Sequence, residues 1–561
     1  MNNHLVFADY AVFILYFIIV ASYGYWIYRR KKRKVTDTKD FFLAEGSLTW
    51  WAIGASLIAS NISAEQFIGM SGDGYFIGIA IAAYEWIAAL ALVIIAVWFI
   101  PVYLKNKIYT MPQFLTRRYN NTVALIMAIF WLFLYVFVNL TSILYLGSVA
   151  INGLVGGEHL HKIMLMLAIF ALIITLGGMK VIGYTDVIQV AVLIIGGLAT
   201  TYLALTIVSD RFGLGENAIA GFKVLMNEAP EHFHMIVPKP DANASQLQVD
   251  KYLVLPGVAM YFAGQWIVNL NYWGCNQYIT QRALGANLQT ARTGILFAAF
   301  LKLMMPIIVM LPGIAAYVLY TNGHLPHLAN GSKDAAYSSI LAFLPEGLKG
   351  LSIAALTAAI VASLAGKVNS ISTIYVLDIH KKYFNKSADE KKMVSLGRVT
   401  VIVAMIIAII FTWKDSLGIG AQGGFTYIQK YTGFISPGVF AVFILGMFWK
   451  RTTGSAAIAG IIVGFLLSIV FNNYAPGWFG NETWLYTAYW NGETYEIPFL
   501  IGMGWSFFFT VLLMVCMSLA GPKVSAKAFD LDKSMFKLAP STLALIMVVL
   551  IVVWLLYVRV W

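Results

Sequence analysis

The stretch WWAIGASLIASNISAEQFIGMSGDGYFIGIAIAAYEW, residues 50–86, is long and apolar enough to enter a lipid bilayer. It also carries polar and acidic side chains, namely Asn61, Ser63, Glu65, Gln66 and Glu85. Such side chains are costly at membrane depth, so they normally face a cavity or a partner group. Glycines between residues 69 and 78 would let the backbone bend or unwind where it lines that cavity. The stretch therefore predicts a solute-binding pocket inside a membrane-embedded helical bundle.

The composition places the rest of the chain in the membrane as well. Of the 561 residues, 60% are hydrophobic and 11% are charged, and the mean hydropathy is +0.77. Apolar runs of about 20 residues, the length that crosses the hydrocarbon core, recur about fourteen times. We therefore expect an all-α polytopic membrane protein with about 14 transmembrane helices. The chain has no HExxH zinc motif, nucleophile elbow or phosphate-binding loop, so we do not expect an enzyme.

The positions of Lys and Arg, which give a net charge of +12, predict the orientation of the chain. If the N-terminus lies outside, most of these residues fall in cytoplasmic connections, as the positive-inside bias requires. An even number of helices then places the C-terminus outside too. We expect a multi-pass protein of the cell (inner) membrane, with no nucleic-acid partner and no obligate protein partner. The basic cytoplasmic segments would be 29–39, 105–118, 282–292, 380–398, 449–452 and 523–537.

Two of the expected spans are interrupted by glycine and carry polar residues in the middle. They cover residues 50–75 and 254–280, and they are the second and seventh spans. A separation of five helices, an odd number, reverses the membrane orientation of the second copy. Interrupted helices in corresponding positions of two halves indicate a transporter built from inverted repeats, with its binding site at their interface.

Ordered motifs from about residue 40 to residue 455 resemble the sodium/solute symporter family, in its sodium/glucose cotransporter branch. Among members of that branch, the bacterial sodium/galactose symporters look most similar. The motifs are WWAIGASLIASNISAEQFIGMSGDGY, AAYEW, YTDVIQV, NYWGCNQYITQRAL, FAAFLK, LPGIAAYV, TAAIVASLAGKVNS and YTGFISPGVFAVFILGMFWK. The resemblance implies a five-plus-five inverted-repeat core with two broken helices.

This organisation divides the chain into five parts. Residues 1–46 would form an extra N-terminal helix and a basic cytoplasmic loop. Residues 47–208 would form the first repeat, with core helices 1–5, and residues 252–450 the second, with core helices 6–10. An extracellular loop at 209–251 would join the repeats, and three peripheral helices would follow at 451–561.

The resemblance also implies the residues of a sugar site between the broken helices. The residues that match sugar-binding positions are Asn61, Gln66, Glu85, Asn269, Tyr272, Lys302 and Gln429. Carboxylate, amide and ammonium groups suit sugar hydroxyls, each of which can donate and accept a hydrogen bond. Tyr272 matches an aromatic residue that stacks on the sugar ring and blocks the inner exit, and Trp273 is a further gate candidate. The outer hydrophobic gate would consist of Met70, Tyr84 and Phe425.

A sodium site is implied by the same resemblance, in which carbonyl groups of a broken helix face hydroxyl groups of the eighth core helix. The matching carbonyl positions are Ala59, Ile62 and Ala359, and Ser363 supplies one hydroxyl. Ala362 replaces a second serine that the resemblance predicts, so one oxygen ligand is missing unless water replaces it. We expect Na⁺ as the coupling ion.

Lys367 is a departure from the resemblance, since related chains carry neutral residues there. Residues 359, 363 and 367 share one helix face, which places Lys367 one turn inward of the expected sodium site. Asp186 in YTDVIQV matches a carboxylate on a sodium exit path. One hypothesis is that Lys367 pairs with Asp186 and stands in for a second sodium ion. The alternative is that Lys367 extends to the cytoplasmic interface.

The expected function is sodium-coupled uptake of a monosaccharide, a galactose- or glucose-like hexose, by alternating access. The expected partners are the sugar, sodium and the bilayer. The alternatives are symport of another polyol or small solute, a sodium-independent facilitator or proton symporter and, from another class, a membrane sugar sensor. Glu85 and Lys302 could instead form a structural ion pair, and Glu65 is expected to face another helix or the entrance. His232 and His234 are expected in a solvated outer loop.

Overall fold

The computed structural model describes nine parts of the chain. They are residues 6–31, 48–155, 159–262, 264–325, 328, 333–345, 347–387, 389–417 and 424–561, with the side chains of residues 30, 31 and 424–427 excepted. These parts are mostly helical, and two short strands, β1 (Tyr489–Trp490) and β2 (Tyr495–Glu496), pair antiparallel.

The first half of the chain, up to residue 254, contains twelve α-helices in the described residues. In order they are α1 (Phe7–Lys31), α2 (Trp50–Asn61), α3 (Ser71–Phe76), α4 (Ala83–Ile94), α5 (Ile100–Lys105), α6 (Met111–Arg118), α7 (Asn121–Phe133), α8 (Thr141–Leu154), α9 (Leu160–Thr175), α10 (Met179–Arg211), α11 (Ala218–Glu228) and α12 (Gln246–Val254). Wider π-helical turns at Glu65–Met70, Ile95–Phe99 and Leu134–Leu140 continue or link several of them.

The second half contains thirteen α-helices in the described residues. They are α13 (Gly264–Cys275), α14 (Gln277–Leu284), α15 (Leu288–Val309), α16 (Leu311–Thr321), α17 (Ala336–Leu341), α18 (Leu348–Thr373), α19 (Glu390–Thr412), α20 (Gly424–Gly433), α21 (Ser436–Phe448), α22 (Gly454–Ile469), α23 (Ala475–Phe479), α24 (Phe499–Leu519) and α25 (Pro540–Val560). Further π-helical turns lie at Ile374–Phe384 and Val470–Tyr474.

Ten helical segments of the described chain are long and apolar enough to cross a membrane. They cover residues 7–29, 79–105, 121–154, 179–211, 288–321, 348–384, 390–412, 454–479, 499–519 and 540–560. Four other apolar segments are interrupted or short. Those that include α2 and α13 are interrupted, and those that include α9 and α21 are short. The protein is therefore a mostly helical membrane protein with about ten full-length candidate spans.

Glycine permits close helix packing at the contact between α2 and α15, which is one of the most extensive in the bundle. A Cβ atom on Gly54 would lie 2.6 Å from the Phe297 ring and 2.7 Å from the carbonyl oxygen of Gly294. A Cβ atom on Gly294 would in turn lie 2.8 Å from the carbonyl oxygen of Trp50. The two helices therefore touch through their backbones. This contact holds α2, and with it the polar segment that follows α2, against α15.

The segment that contains His232 is docked against the end of the first interrupted helix. Its ring stacks on Tyr317 at a centroid distance of 4.0 Å, and Nε2 donates a hydrogen bond to the carbonyl of Tyr75 at 3.1 Å. Gly78 (φ 96°) lies directly against the His232 backbone. The prediction of a solvated loop is wrong for His232, because these contacts bury it completely. Burial lowers the pKa of His232 from 6.5 to about 4.

Replacing Gly54 by Ala is predicted to destabilise the protein. The added methyl group must displace backbone atoms of α15, which costs about 1–3 kcal/mol and exceeds the gain of about 1 kcal/mol in helix propensity. Gly153→Ala is the matched control, because a Cβ atom there meets no atom within 4 Å. Thermal unfolding of the detergent-solubilised protein measures both variants. Equal stability of the two would contradict the close backbone contact.

Acid is predicted to destabilise the protein through His232. Its folded pKa is about 4 and its unfolded pKa about 6.5, so below pH 6.5 only the unfolded chain gains this proton. Stability should therefore fall by about 2 kcal/mol between pH 7 and pH 5 from this group alone. Thermal unfolding at both pH values should show a smaller loss for His232→Gln than for wild type. His234→Gln, at an exposed neighbouring position, should keep the wild-type loss; an unchanged loss in His232→Gln would overturn the assignment.

Candidate functional site

The first interrupted helix breaks immediately after Asn61. Helix α2 ends there, and Ile62 adopts an extended conformation (φ −79°, ψ 115°) before the π turn Glu65–Met70 begins. Side chains replace part of the lost helical bonding, since the backbone N–H of Ser63 donates to Oε1 of Gln66 at 3.1 Å. The hydroxyl of Ser63 donates to Oε2 of Glu65 at 2.7 Å. Carbonyl groups beside such a break become available to a ligand.

A polar cavity lies at this break and extends to the second interrupted helix. Its walls come from the π turn, α4, α13, α15 and α20, together with neighbouring residues. All seven side chains predicted to bind sugar line it: Asn61, Gln66, Glu85, Asn269, Tyr272, Lys302 and Gln429. Residues far apart in the chain thus converge on one space.

The two breaks are joined directly by a hydrogen bond. The amide of Asn61 donates from Nδ2 to the hydroxyl of Tyr272 at 2.9 Å. Tyr272 in turn lies edge-on to Trp273 and Tyr278, with ring centroids 5.2 Å and 5.7 Å away. This bond ties the end of α2 to the last turn of α13, just before the second break at Asn276 (φ −91°, ψ 132°) between α13 and α14, and it forms part of one wall of the cavity.

A buried ion pair stands in the same cavity. Lys302 Nζ lies 2.5 Å from Glu85 Oε2, and the ammonium is 5.4 Å from the centroid of the Trp273 ring. Both charged side chains are almost fully buried. The contact agrees with the alternative that these residues form a structural ion pair. Both residues also line the cavity, so the pair presents a hydrogen-bond donor and an acceptor to a polar ligand.

The predicted gate residues take different positions. Tyr84, Tyr272 and Trp273 line the cavity, whereas Met70 is buried in the π turn and does not line it. Phe425 belongs to α20, and its side chain lies outside the described residues.

Sequence reasoning missed several cavity residues. Glu65, expected elsewhere, lines the cavity, because the π turn brings it to the same side as Gln66. Its Oε1 atom is buried without a hydrogen-bond partner among the described residues. Asn139 and Asn276 also line the cavity. Each is an asparagine within an apolar run, and that is the signal by which it could have been found.

The predicted sodium ligands lie where α2 and α18 meet. The hydroxyl of Ser363 donates to the carbonyl of Ser60, beside the break, at 3.0 Å. Ala59, Ile62, Ala359 and Ala362 are all buried. Carbonyl and hydroxyl oxygens suit a small hard cation, so the residues present fit sodium, with fewer oxygens than the resemblance implies. The hydroxyl of Ser60 is also buried and has no partner in the described part of the chain.

Asp186 and Lys367 do not form the predicted ion pair. Asp186 accepts a hydrogen bond from the hydroxyl of Ser56, and the guanidinium of Arg282 lies 3.8 Å away. Arg282 also donates to Ser56 at 2.7 Å. The prediction is wrong because Arg282, from α14, supplies the cation for Asp186. The alternative of Lys367 extending to the interface is wrong too, since its side chain is only 1% exposed and its Nζ donates to Ser363.

Comparisons with known proteins agree with this architecture. A model of the sodium:solute symporter family matches residues 41–464. The "Sodium/glucose cotransporter" of Vibrio parahaemolyticus is 42% identical over 573 residues, covering 98% of each chain. The human "Sodium/myo-inositol cotransporter 2" is 34% identical over 478 residues, covering 82% of this chain and 69% of the relative.

A solved structure of a Na⁺-coupled sialic acid symporter, in a substrate-bound outward-open state, has a similar fold. The TM-score is 0.76 at 20% identity, over 93% of this chain and 99% of the other. Together with the family match over most of the chain, and with a relative that is similar from end to end, these findings identify the family: the chain belongs to the sodium:solute symporters.

Proposed function

We propose that this protein is a sodium-coupled symporter that carries a galactose- or glucose-like hexose into the cell. The observation that carries the proposal is the convergence of seven predicted sugar-binding side chains on one cavity between two interrupted helices. Family membership supports coupling to sodium. A relative that is 42% identical is named a sodium/glucose cotransporter, which supports a hexose as cargo.

The proposed architecture has about fourteen membrane crossings around a five-plus-five inverted repeat. Ten full-length spans and four interrupted or short apolar helices support this number. The repeats would be residues 47–208 and 252–450, joined by an extracellular loop at 209–251. Residues 1–46 and 451–561 would add peripheral helices, and both termini would lie outside.

In the proposed mechanism, sodium binds between the break in α2 and the face of α18 that carries Ser363. Sodium bound there favours the conformer that is open to the outside, in proportion to its higher affinity for that conformer. Sugar then binds between the two interrupted helices and the outer gate closes. One bundle of helices rotates against the rest of the protein, and both solutes are released inside. Because Asn61 and Tyr272 connect the two breaks, we infer that inward release requires this bond to separate.

The chemistry of the cavity suits a pyranose. Its polar side chains include seven amides, among them that of Asn61 at the helix break, and the Glu85–Lys302 pair, which together can satisfy hydroxyls as donors and acceptors. One positive charge that enters across about 100 mV releases about 2.3 kcal/mol. At about 1.4 kcal/mol per factor of ten, one sodium per sugar sustains roughly fiftyfold accumulation.

A cyclic polyol is the second candidate cargo. Several relatives at 32–34% identity are named sodium/myo-inositol cotransporters, and a ring of hydroxyls could use the same cavity. Competition of galactose, glucose and myo-inositol for the same uptake would distinguish the cargoes.

Reconstituted protein is predicted to accumulate radiolabelled galactose or glucose when an inward sodium gradient is imposed. Gln66→Ala should lower the uptake rate at least tenfold. The substitution removes an amide that lines the cavity and accepts a hydrogen bond from the backbone N–H of Ser63 at the helix break. The assay compares sodium with potassium outside the proteoliposomes. Lys349→Met, on α18 but outside the cavity, is the matched control and should transport normally.

Uptake that only equilibrates, with sodium and potassium equally effective, would contradict coupling and favour a facilitator. Absence of galactose and glucose uptake, with myo-inositol accumulated, would replace the hexose by a cyclic polyol.

Glu85 and Lys302 are predicted to stabilise the fold mainly because each neutralises the buried charge of the other. Glu85→Gln and Lys302→Met each leave a buried charge without its partner, which costs about 3–5 kcal/mol. The double variant removes both charges and should be more stable than either single variant. Thermal unfolding of all three proteins in detergent tests this order. A double variant no more stable than the worse single variant would show that the two charges act independently.

A further inference from the structure

Lys367 carries a fully buried positive charge into the region of the expected sodium site. It lies on α18 one turn from Ser363, and its side chain is 1% exposed. The ammonium nitrogen is 3.2 Å from the hydroxyl oxygen of Ser363 and 4.9 Å from the centroid of the Tyr278 ring. A cation that belongs to the protein therefore already contacts an oxygen that the family uses for sodium.

The hydrogen bonds of Ser363 leave reduced capacity for an ion. Its hydrogen is donated to the carbonyl of Ser60 at 3.0 Å, and one of its oxygen lone pairs accepts from Lys367. A serine hydroxyl has two acceptor lone pairs, so one remains. Ala362 supplies no hydroxyl beside it. Sodium must therefore take the remaining lone pair next to an ammonium group, or displace that group.

The buried charges around this point are already balanced. Arg282 lies beside Asp186, and Lys367 and Glu65 line the same cavity. All four side chains are buried, which gives two positive and two negative groups when each is ionised. Sodium would add an uncompensated charge to this set, and such a charge is costly in a medium of low dielectric constant. Without Lys367 the set would carry one negative charge, which a single sodium ion neutralises.

We propose that the Lys367 ammonium is a tethered competitor for sodium that holds the Ser363 hydroxyl and sets a low sodium affinity in this chain. The inference rests on the proposed function in taking Ser363 as a sodium ligand. In this competition sodium displaces the ammonium from Ser363, toward the carboxylate of Glu65, whose Oε1 atom is unpartnered among the described residues. In this proposal Lys367 determines ion affinity, while the side chains predicted to bind sugar line other parts of the same cavity.

The test is equilibrium binding of ²²Na⁺ to purified protein in detergent. Lys367→Met keeps the length of the side chain and removes its charge, so the sodium Kd should fall at least tenfold. Lys367→Arg keeps the charge and should bind sodium as weakly as wild type. Lys349→Met removes a lysine from the same helix outside the cavity and should leave the Kd unchanged. Glu65→Gln should weaken binding, because it removes a countercharge.

A sodium Kd in Lys367→Met equal to or higher than that of wild type would overturn the proposal. So would the absence of detectable binding in both. If Lys367→Met does not give a monodisperse protein, Lys367→Gln replaces it with the same expected direction. Sodium-driven sugar uptake by wild type decides the proposed function separately: wild-type accumulation together with an unchanged Kd in the variant would overturn this inference alone.

Discussion

The break in α2 after Asn61 is the feature on which the site depends, because backbone and charged groups at membrane depth must find partners inside the protein. Ser63 and Gln66 satisfy part of the broken helix, and Ser363 reaches its carbonyl groups from α18. The hydrogen bond from Asn61 to Tyr272 connects this break to the second one. The polar cavity forms around these bonds, because the unwound backbone and the side chains that hydrogen-bond to it must be kept away from lipid.

Buried charge is the second constraint, and the charged side chains of the described chain meet it in different ways. Glu85 and Lys302 neutralise each other within the cavity, whereas Asp186 contacts Arg282 and the Ser56 hydroxyl of α2. Lys367 has no carboxylate within ion-pair distance in the described part of the chain, and it contacts a hydroxyl and an aromatic ring instead. Moving the Lys367 ammonium when an ion arrives therefore costs less free energy than moving a charge out of a close buried ion pair.

The sequence predicted the membrane class and both interrupted helices, because polar groups within apolar runs have few acceptable positions. The set of polar residues that meet in the cavity was predicted from the resemblance of the motifs to the symporter family. The sequence did not predict which cation faces Asp186, since Arg282 reaches it from a helix distant in sequence and spacing along α18 cannot reveal that contact. Glu65 was misplaced because an ideal α-helix separates it from Gln66 more than the π turn does. Loop composition suggested solvent for His232, but tertiary stacking on Tyr317 buries it.

The electrical response of the reconstituted protein to a galactose concentration jump, recorded on a solid-supported membrane, tests the central claim most directly. If sugar in the cavity is coupled to a cation at the break in α2, the jump moves positive charge inward when sodium is present. The same jump with potassium in place of sodium then gives no such charge movement. Equal charge movement in both salts, or sugar uptake with no charge movement in sodium, would contradict the account.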